Sequence, residues 1–245
     1  MWLPLRHYRF DWKLTLLYVL VLPVLLRLGF WQLSREAEKE QLLEVYASRQ
    51  FELPVPLSNL DATADLQYMQ VEFSGAPDND HLFLLDNRID QGRVGYEVVQ
   101  PVRSDEGMWV LVNRGWIAQG LSRADLPEIA PLPPRMNLRG TVYMQVGEPV
   151  VLSDELMSAG WPKVIQVLDP AGMQSAAALD GLTFPHTVRI APGQSGALLT
   201  NWPVINLSPE MHRGYAVQWF AMSFMLTLLY LYYSTRRDTP VNTEL

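Results

Sequence analysis

His212 stands in the stretch SPEMHRGYAVQWFAMS, with Tyr215 three residues on and Trp219 seven residues on. On a helix these spacings place all three on one side. A neutral imidazole above two aromatic rings at a membrane surface is a suitable axial ligand for a haem iron lying at that interface. The same residues also make an ordinary aromatic belt, with His212 bonded to a lipid headgroup. Spacing alone leaves both readings open.

Arg27 lies inside the apolar run LTLLYVLVLPVLLRLGFWQL, with Trp31 one turn further along the same side. A cation there is costly and marks a carboxylate partner, unless the long side chain reaches the nearby interface. Two further polar clusters end apolar runs: Asp86-Asn87-Arg88 and Asn113-Arg114-Gly115-Trp116. Arginine beside asparagine at a strand end suits an anion or a partner's carboxylate, or else only turns the chain and pairs internally. Signatures of common catalysts are missing. Gly193-Gln194-Ser195-Gly196 is not a nucleophile elbow, Gly92 to Gly95 is not a dinucleotide loop, and His7, His81, His186 and His212 lack zinc-site spacing.

The elements that must position these residues are two membrane helices. Residues 14–33 and 215–233 are each close to the roughly 20 apolar residues that cross a bilayer. Arg6, Arg9 and Lys13 precede the first span, and Arg236 and Arg237 follow the second. The positive-inside rule then places both termini in the cytoplasm and the middle segment on the opposite side. A cleaved signal peptide is the competing reading of the first span, but the run is long, holds Arg27 and lacks a small-x-small cleavage site.

The chain of 245 residues, 49% hydrophobic, leaves enough sequence between the spans for one extramembrane domain. It has no cysteine, so disulfides, thiolate metal sites and thiol nucleophiles are excluded. A net charge of −7, with the acid mostly in the middle segment, argues against nucleic acid as a partner. After the first span, REAEKEQLLEVYASRQ predicts an amphipathic helical stalk closed by Pro54 and Pro56. From residue 68 the pattern is that of strands: MQVEF, HLFLLDN, GYEVVQPV, MWVLVNRGW and MNLRGTVYM, with VIQVL and TVRI later. SDEG predicts a hairpin turn, PEIAPLPP an extended connection without ladder bonds, and PAGMQSAAALD a short helix. Ser208, Pro209 and Glu210 form a helix start: N-cap, first helical residue and first-turn acid.

The expected architecture is a membrane protein with two transmembrane α-helices, N- and C-terminal, flanking one mainly antiparallel-β (α+β) extramembrane domain. Its divisions are a cytoplasmic N-terminus (1–13), the first span (14–33), stalk and linker (34–56), a periplasmic β-rich domain (57–208), helix start and second span (209–233) and a cytoplasmic tail (234–245).

Several stretches together resemble one family, the surfeit locus family of cytochrome c oxidase assembly proteins. They are LGFWQLSREAEK, VEFSG, LLDNRIDQGRVGYEVVQPVR, WVLVNRGWI, LRGTVY, WPKVIQVLD and SPEMHRGYAVQWFAMS, in family order from Leu28 to Ser223. One departure is Ala118, where many relatives have proline. The resemblance implies a bacterial inner-membrane biogenesis factor, not an enzyme, that assists insertion of haem a into subunit I of the haem-copper oxidase. It implies His212 as haem ligand with Tyr215, Gln218 and Trp219 beside it, Gly29, Trp31 and Gln32 as the first-span motif, and Asn113 to Trp116 as the domain motif. Arg27 or Arg213 would pair a propionate, and Trp31 and Trp219 would flank the macrocycle. Implied partners are subunit I, the haem a synthase and the lipid bilayer. The alternative is a scaffold that binds no cofactor and holds subunit I or the haem synthase during assembly.

Overall fold

The computed structural model describes residues 11–61, 64–120, 122, 125–144, 160–205 and 207–235. Arg6, Arg9, Arg236 and Arg237, on which the orientation expectation rests, lie outside the described residues, as do the rest of segment 1–10 and the tail beyond 235. The chain divides into two compact units, one formed by Met1–Glu44 with Val204–Leu245 and the other by Val45–Pro203.

The first unit is a pair of helices, α1 (Trp12–Gln50) and α3 (Pro209–Thr235), both long and apolar enough to cross a membrane. Asp11 caps α1, its carboxylate accepting from the amides of Lys13 and Leu14. With 39 residues α1 is about 58 Å long, nearly twice a bilayer's hydrocarbon core, so the predicted stalk continues the span without a break. In the second unit, α2 (Pro170–Ala176) is the short helix predicted around Met173. α3 starts at Pro209, as the Ser208-Pro209-Glu210 pattern predicts.

The contact between α1 and α3 combines small and polar residues with the aromatic pairs Tyr18–Tyr230 and Phe30–Phe220, while Leu20, Val24, Phe224 and Leu231 stay exposed. That inversion of a water-soluble core is expected where the surrounding solvent is hydrocarbon. Tyr18 stacks on Tyr230 with ring centroids 4.3 Å apart, and the Tyr18 hydroxyl lies 3.3 Å from that of Thr227. Gly29 is buried against Phe220, and a Cβ there would sit 2.6 Å from Phe220 Cε1. Gly29→Val should therefore destabilise the helix pair by about 1–3 kcal/mol, read as a lower melting temperature in detergent. An unchanged melting temperature would remove Gly29 from the contact.

The second unit is one eight-stranded sheet. Its strands are β1 (Val55–Pro56), β2 (Gln70–Pro77), β3 (Phe83–Asp90), β4 (Arg93–Ser104), β5 (Trp109–Ala118), β6 (Met136–Tyr143), β7 (Lys163–Ile165) and β8 (Thr183–Ile190). The order is β1-β2-β6-β8-β5-β4-β3-β7, and a second pairing of β2 with the end of β4 closes β2, β6, β8, β5 and β4 into a barrel-like ring. Antiparallel pairs predominate, as expected, but β1–β2, β3–β7 and β5–β8 are parallel.

One face of the ring carries Val71, Phe73, Val102, Val112, Leu138, Val142 and Val188. The other carries Leu85, Val99, Leu111 and Ile165, packed with Met173 of α2. Both faces of β4 and β5 are thus covered, which explains their unbroken apolar runs. SDEG turns β4 into β5, and PEIAPLPP forms no strand.

Candidate functional site

The imidazole of His212 is 8% exposed and lies in the α1–α3 contact. Its Nδ1 is 2.7 Å from Gln32 Oε1. An amide oxygen can only accept, so Nδ1 carries the hydrogen and Nε2 keeps its lone pair. Nε2 is buried and has no hydrogen-bond partner among the described residues. A buried polar nitrogen without a partner calls for an explanation. An imidazole with one nitrogen tied to an oxygen and the other free is the arrangement of a metal-ligating histidine with its supporting shell.

Why these two residues meet follows from helix geometry. At 100° per residue, Tyr18, Gly29, Gln32, Glu36 and Glu40 fall within about 80° of one another on α1. On α3, His212, Ala216, Ser223 and Tyr230 do the same, and all of these are buried or in contact across the pair. Above His212 the pair is closed by charge. The Arg213 guanidinium donates through Nε to Glu36 Oε1 and lies 3.5 Å from Glu40 Oε1. Glu36 is buried, whereas the Arg213 side chain is 57% exposed, so the pair sits at the edge of the contact and is partly screened by solvent. Glu36 and Glu40 are site residues that spacing pointed to without their being singled out: both follow Gly29 and Gln32 at helical intervals.

The other expected site residues of this unit are placed differently. Trp219 is half-buried on the His212 side of α3, its carbonyl accepting from the Ser223 hydroxyl. Tyr215 and Gln218 are exposed. Arg27 is exposed and lies about 160° round α1 from Gly29, and Trp31, 49% exposed, is equally far round the other way. Neither approaches His212. Trp31 instead underlies the Arg35 guanidinium at 5.8 Å. Arg213 is engaged by the two glutamates rather than free for a ligand carboxylate.

In the sheet unit the NRGW arginine serves the fold. Arg114 is 2% exposed, and its Nε, Nη1 and Nη2 donate to the Gly196 carbonyl, Gln100 Oε1 and the Ala130 carbonyl, at 2.9, 2.9 and 3.1 Å. Desolvation lowers its pKa from the usual arginine value, since only neutral oxygens compensate the charge. Asn113 donates to Glu97 Oε2 at 2.6 Å and accepts from the Gly115 amide. Gly115 has φ +117°, and a Cβ there would lie 2.7 Å from the Leu199 carbonyl oxygen, where Trp116 bridges to Leu199. Trp116 Nε1 donates to the Arg88 carbonyl. Asn87, with φ +58°, forms a bulge in β3 between Leu85 and Arg88 that turns Arg88 onto the face of Glu97. Among the described residues no group of histidine and carboxylate side chains is arranged to hold a metal ion.

A SURF1-like protein of Rickettsia felis is 37% identical over 110 residues, 43% of this chain and 47% of its own. One of Rickettsia prowazekii is 25% identical over 250 residues, 95% of each chain. The cytochrome oxidase assembly protein SHY1 of Saccharomyces cerevisiae is 29% identical over 119 residues, 46% of this chain and 31% of its own. The first of these matches thus spans less than half the length of that relative. The SURF1 family profile matches residues 19–224, which include α1 from Val19 onward, the whole sheet and α3 as far as Phe224, and the chain belongs to the SURF1 family.

Proposed function

We propose that this chain is a cytochrome oxidase assembly factor that binds haem, haem a by resemblance, through Nε2 of His212 and passes it toward oxidase subunit I. The supporting observation is the free, buried Nε2 of an imidazole whose Nδ1–H is tied to Gln32. Gln32 holds the ring's tautomer and orientation, Trp219 offers a flat apolar wall on the same side of α3, and the Glu36–Arg213 pair closes the seam at its outer end. When bound, haem would supply an iron that accepts the lone pair of His212 Nε2. A single protein ligand on a buried nitrogen suits a carrier better than a permanent holder.

The setting consistent with this reading is the bacterial inner membrane, with both termini cytoplasmic, the sheet unit periplasmic, and the haem a synthase as a second partner. No residue is assigned a catalytic role. The scaffold reading has its own support in the exposed Arg27–Trp31 side of α1, turned away from α3 and open to another membrane helix.

The two readings differ in a purification. Full-length protein extracted from membranes of cells that make haem a should carry a haem a absorption spectrum. Protein that is colourless after such co-production, yet still captures subunit I, would replace the carrier reading with the scaffold.

A further inference from the structure

Four polar side chains form a row across adjacent strands of the sheet, on the face that carries Leu85, Val99 and Leu111: Arg88 of β3, Glu97 of β4, Asn113 of β5 and Arg189 of β8. The register requires it. Arg88 is opposite Gly95, two residues from Glu97; Asn113 is opposite Val99 on one side and Arg189 on the other. Bulges at Asn87 and beside Arg114 set this phase.

Arg189 is the unusual member. Its guanidinium lies 3.6 Å from the Tyr143 ring centroid and 4.9 Å from that of Trp202, and Nε is buried without a partner. None of its nitrogens donates to an acceptor among the described residues. Burial lowers its pKa from the usual arginine value; Tyr143, Glu97 and Tyr68 oppose that shift and Arg88 adds to it. Arg88 Nε is likewise buried and unbonded, 3.9 Å from Glu97 Oε1, while the other carboxylate oxygen of Glu97 accepts from Asn113. Among the described residues of this row, two guanidinium groups face one carboxylate, which leaves one cation in excess.

A guanidinium whose Nε is buried without an acceptor among the described residues calls for an explanation. Aromatic rings against it leave its donor-bearing edge for approach, and that edge matches a planar, two-oxygen acceptor. A single excess charge matches a monoanion; the dianionic form of phosphate would leave negative charge beside Glu97. We propose that Arg189, with Arg88, forms a carboxylate-binding site on this face of the sheet unit, walled by Tyr143 and Trp202. The carboxylate comes from a small organic acid or from an acidic side chain of a protein partner. The site does not depend on haem binding.

The test uses full-length protein in detergent, labelled with 15N-arginine, at fixed ionic strength. The Arg189 side-chain resonance, assigned by its loss in Arg189→Lys, should shift saturably with sodium acetate and with a blocked Gly-Glu-Gly tripeptide. Arg88→Gln should raise the half-saturating concentration about 10-fold. A tripeptide effective at tenfold lower concentration than acetate identifies a protein carboxylate as the occupant, and equal effectiveness identifies a small acid. No saturable shift with either, a stronger response to sodium phosphate than to acetate, or unchanged binding in Arg88→Gln would each overturn the site.

Discussion

His212→Ala should strip bound haem from the protein, lowering the haem-to-protein ratio after co-production by two orders of magnitude or more. Because the substitution also removes the Nδ1–Gln32 hydrogen bond and a buried ring, haem content is read per folded protein, with circular dichroism as the check on folding. Gln32→Leu should be graded rather than absolute. It keeps the ligand but removes the acceptor that holds Nδ1–H, and loss of such a supporting contact typically weakens metal binding about 10- to 100-fold. Gln32→Glu should retain most of the binding, since a carboxylate oxygen accepts the same hydrogen. A purely structural role for Gln32 would instead lower thermal stability in Gln32→Leu and leave the haem content of the folded protein unchanged. Haem content in His212→Ala equal to wild type would remove the histidine from the role.

The second large effect concerns stability. Arg114→Leu should destabilise the sheet unit by about 3 kcal/mol, since it leaves Gln100 Oε1 and two backbone carbonyls without their donor inside the protein. For a unit of this size that corresponds to a fall of about 10 °C in melting temperature. The loss should spread along the connected network. Gln100 donates to the Asp78 carbonyl and to Asn79 Oδ1, and Asn79 in turn bonds both the carbonyl and the amide of Leu132. Arg114 therefore anchors the proline-rich connection to the barrel. Arg114→Lys should recover little, because one ammonium cannot reach three acceptors spaced for a planar fork. Circular dichroism melts compare the three proteins, and a melting temperature for Arg114→Leu within 2 °C of wild type would contradict this role.

How much of this was legible in the sequence depends on the range of the interactions. Both long helices, the stalk, the β4–β5 turn and the start of α3 are local, and hydropathy, spacing and capping residues reveal them. The sheet order is not local: β5 lies parallel to β8, with Trp109 opposite Thr183, and no short pattern announces that pairing.

The site divides in the same way. His212 stood out by type and position, but the atom that fixes its tautomer is 180 residues away, and Gln32 came only through the family resemblance. Spacing grouped His212 with Tyr215, yet three residues turn a helix by about 300°, enough to carry Tyr215 out of the contact with α1. Arg27 drew attention as an intramembrane cation, and its side of α1 is the one away from α3.

Arg114 was ambiguous because two of its three acceptors are backbone carbonyls, which every residue possesses. Arg189 gave no signal at all. In TVRI it reads as the outward residue of an alternating strand, and the rings that enclose it lie in β6 and beyond β8.

The central claim, that Nε2 of His212 meets the iron, is tested most directly by resonance Raman spectroscopy of the ferrous protein with 15N-labelled histidine. The account predicts an iron–histidine stretching band that shifts with the label and is absent in His212→Ala. A band that ignores the label, or persists in His212→Ala, would contradict it.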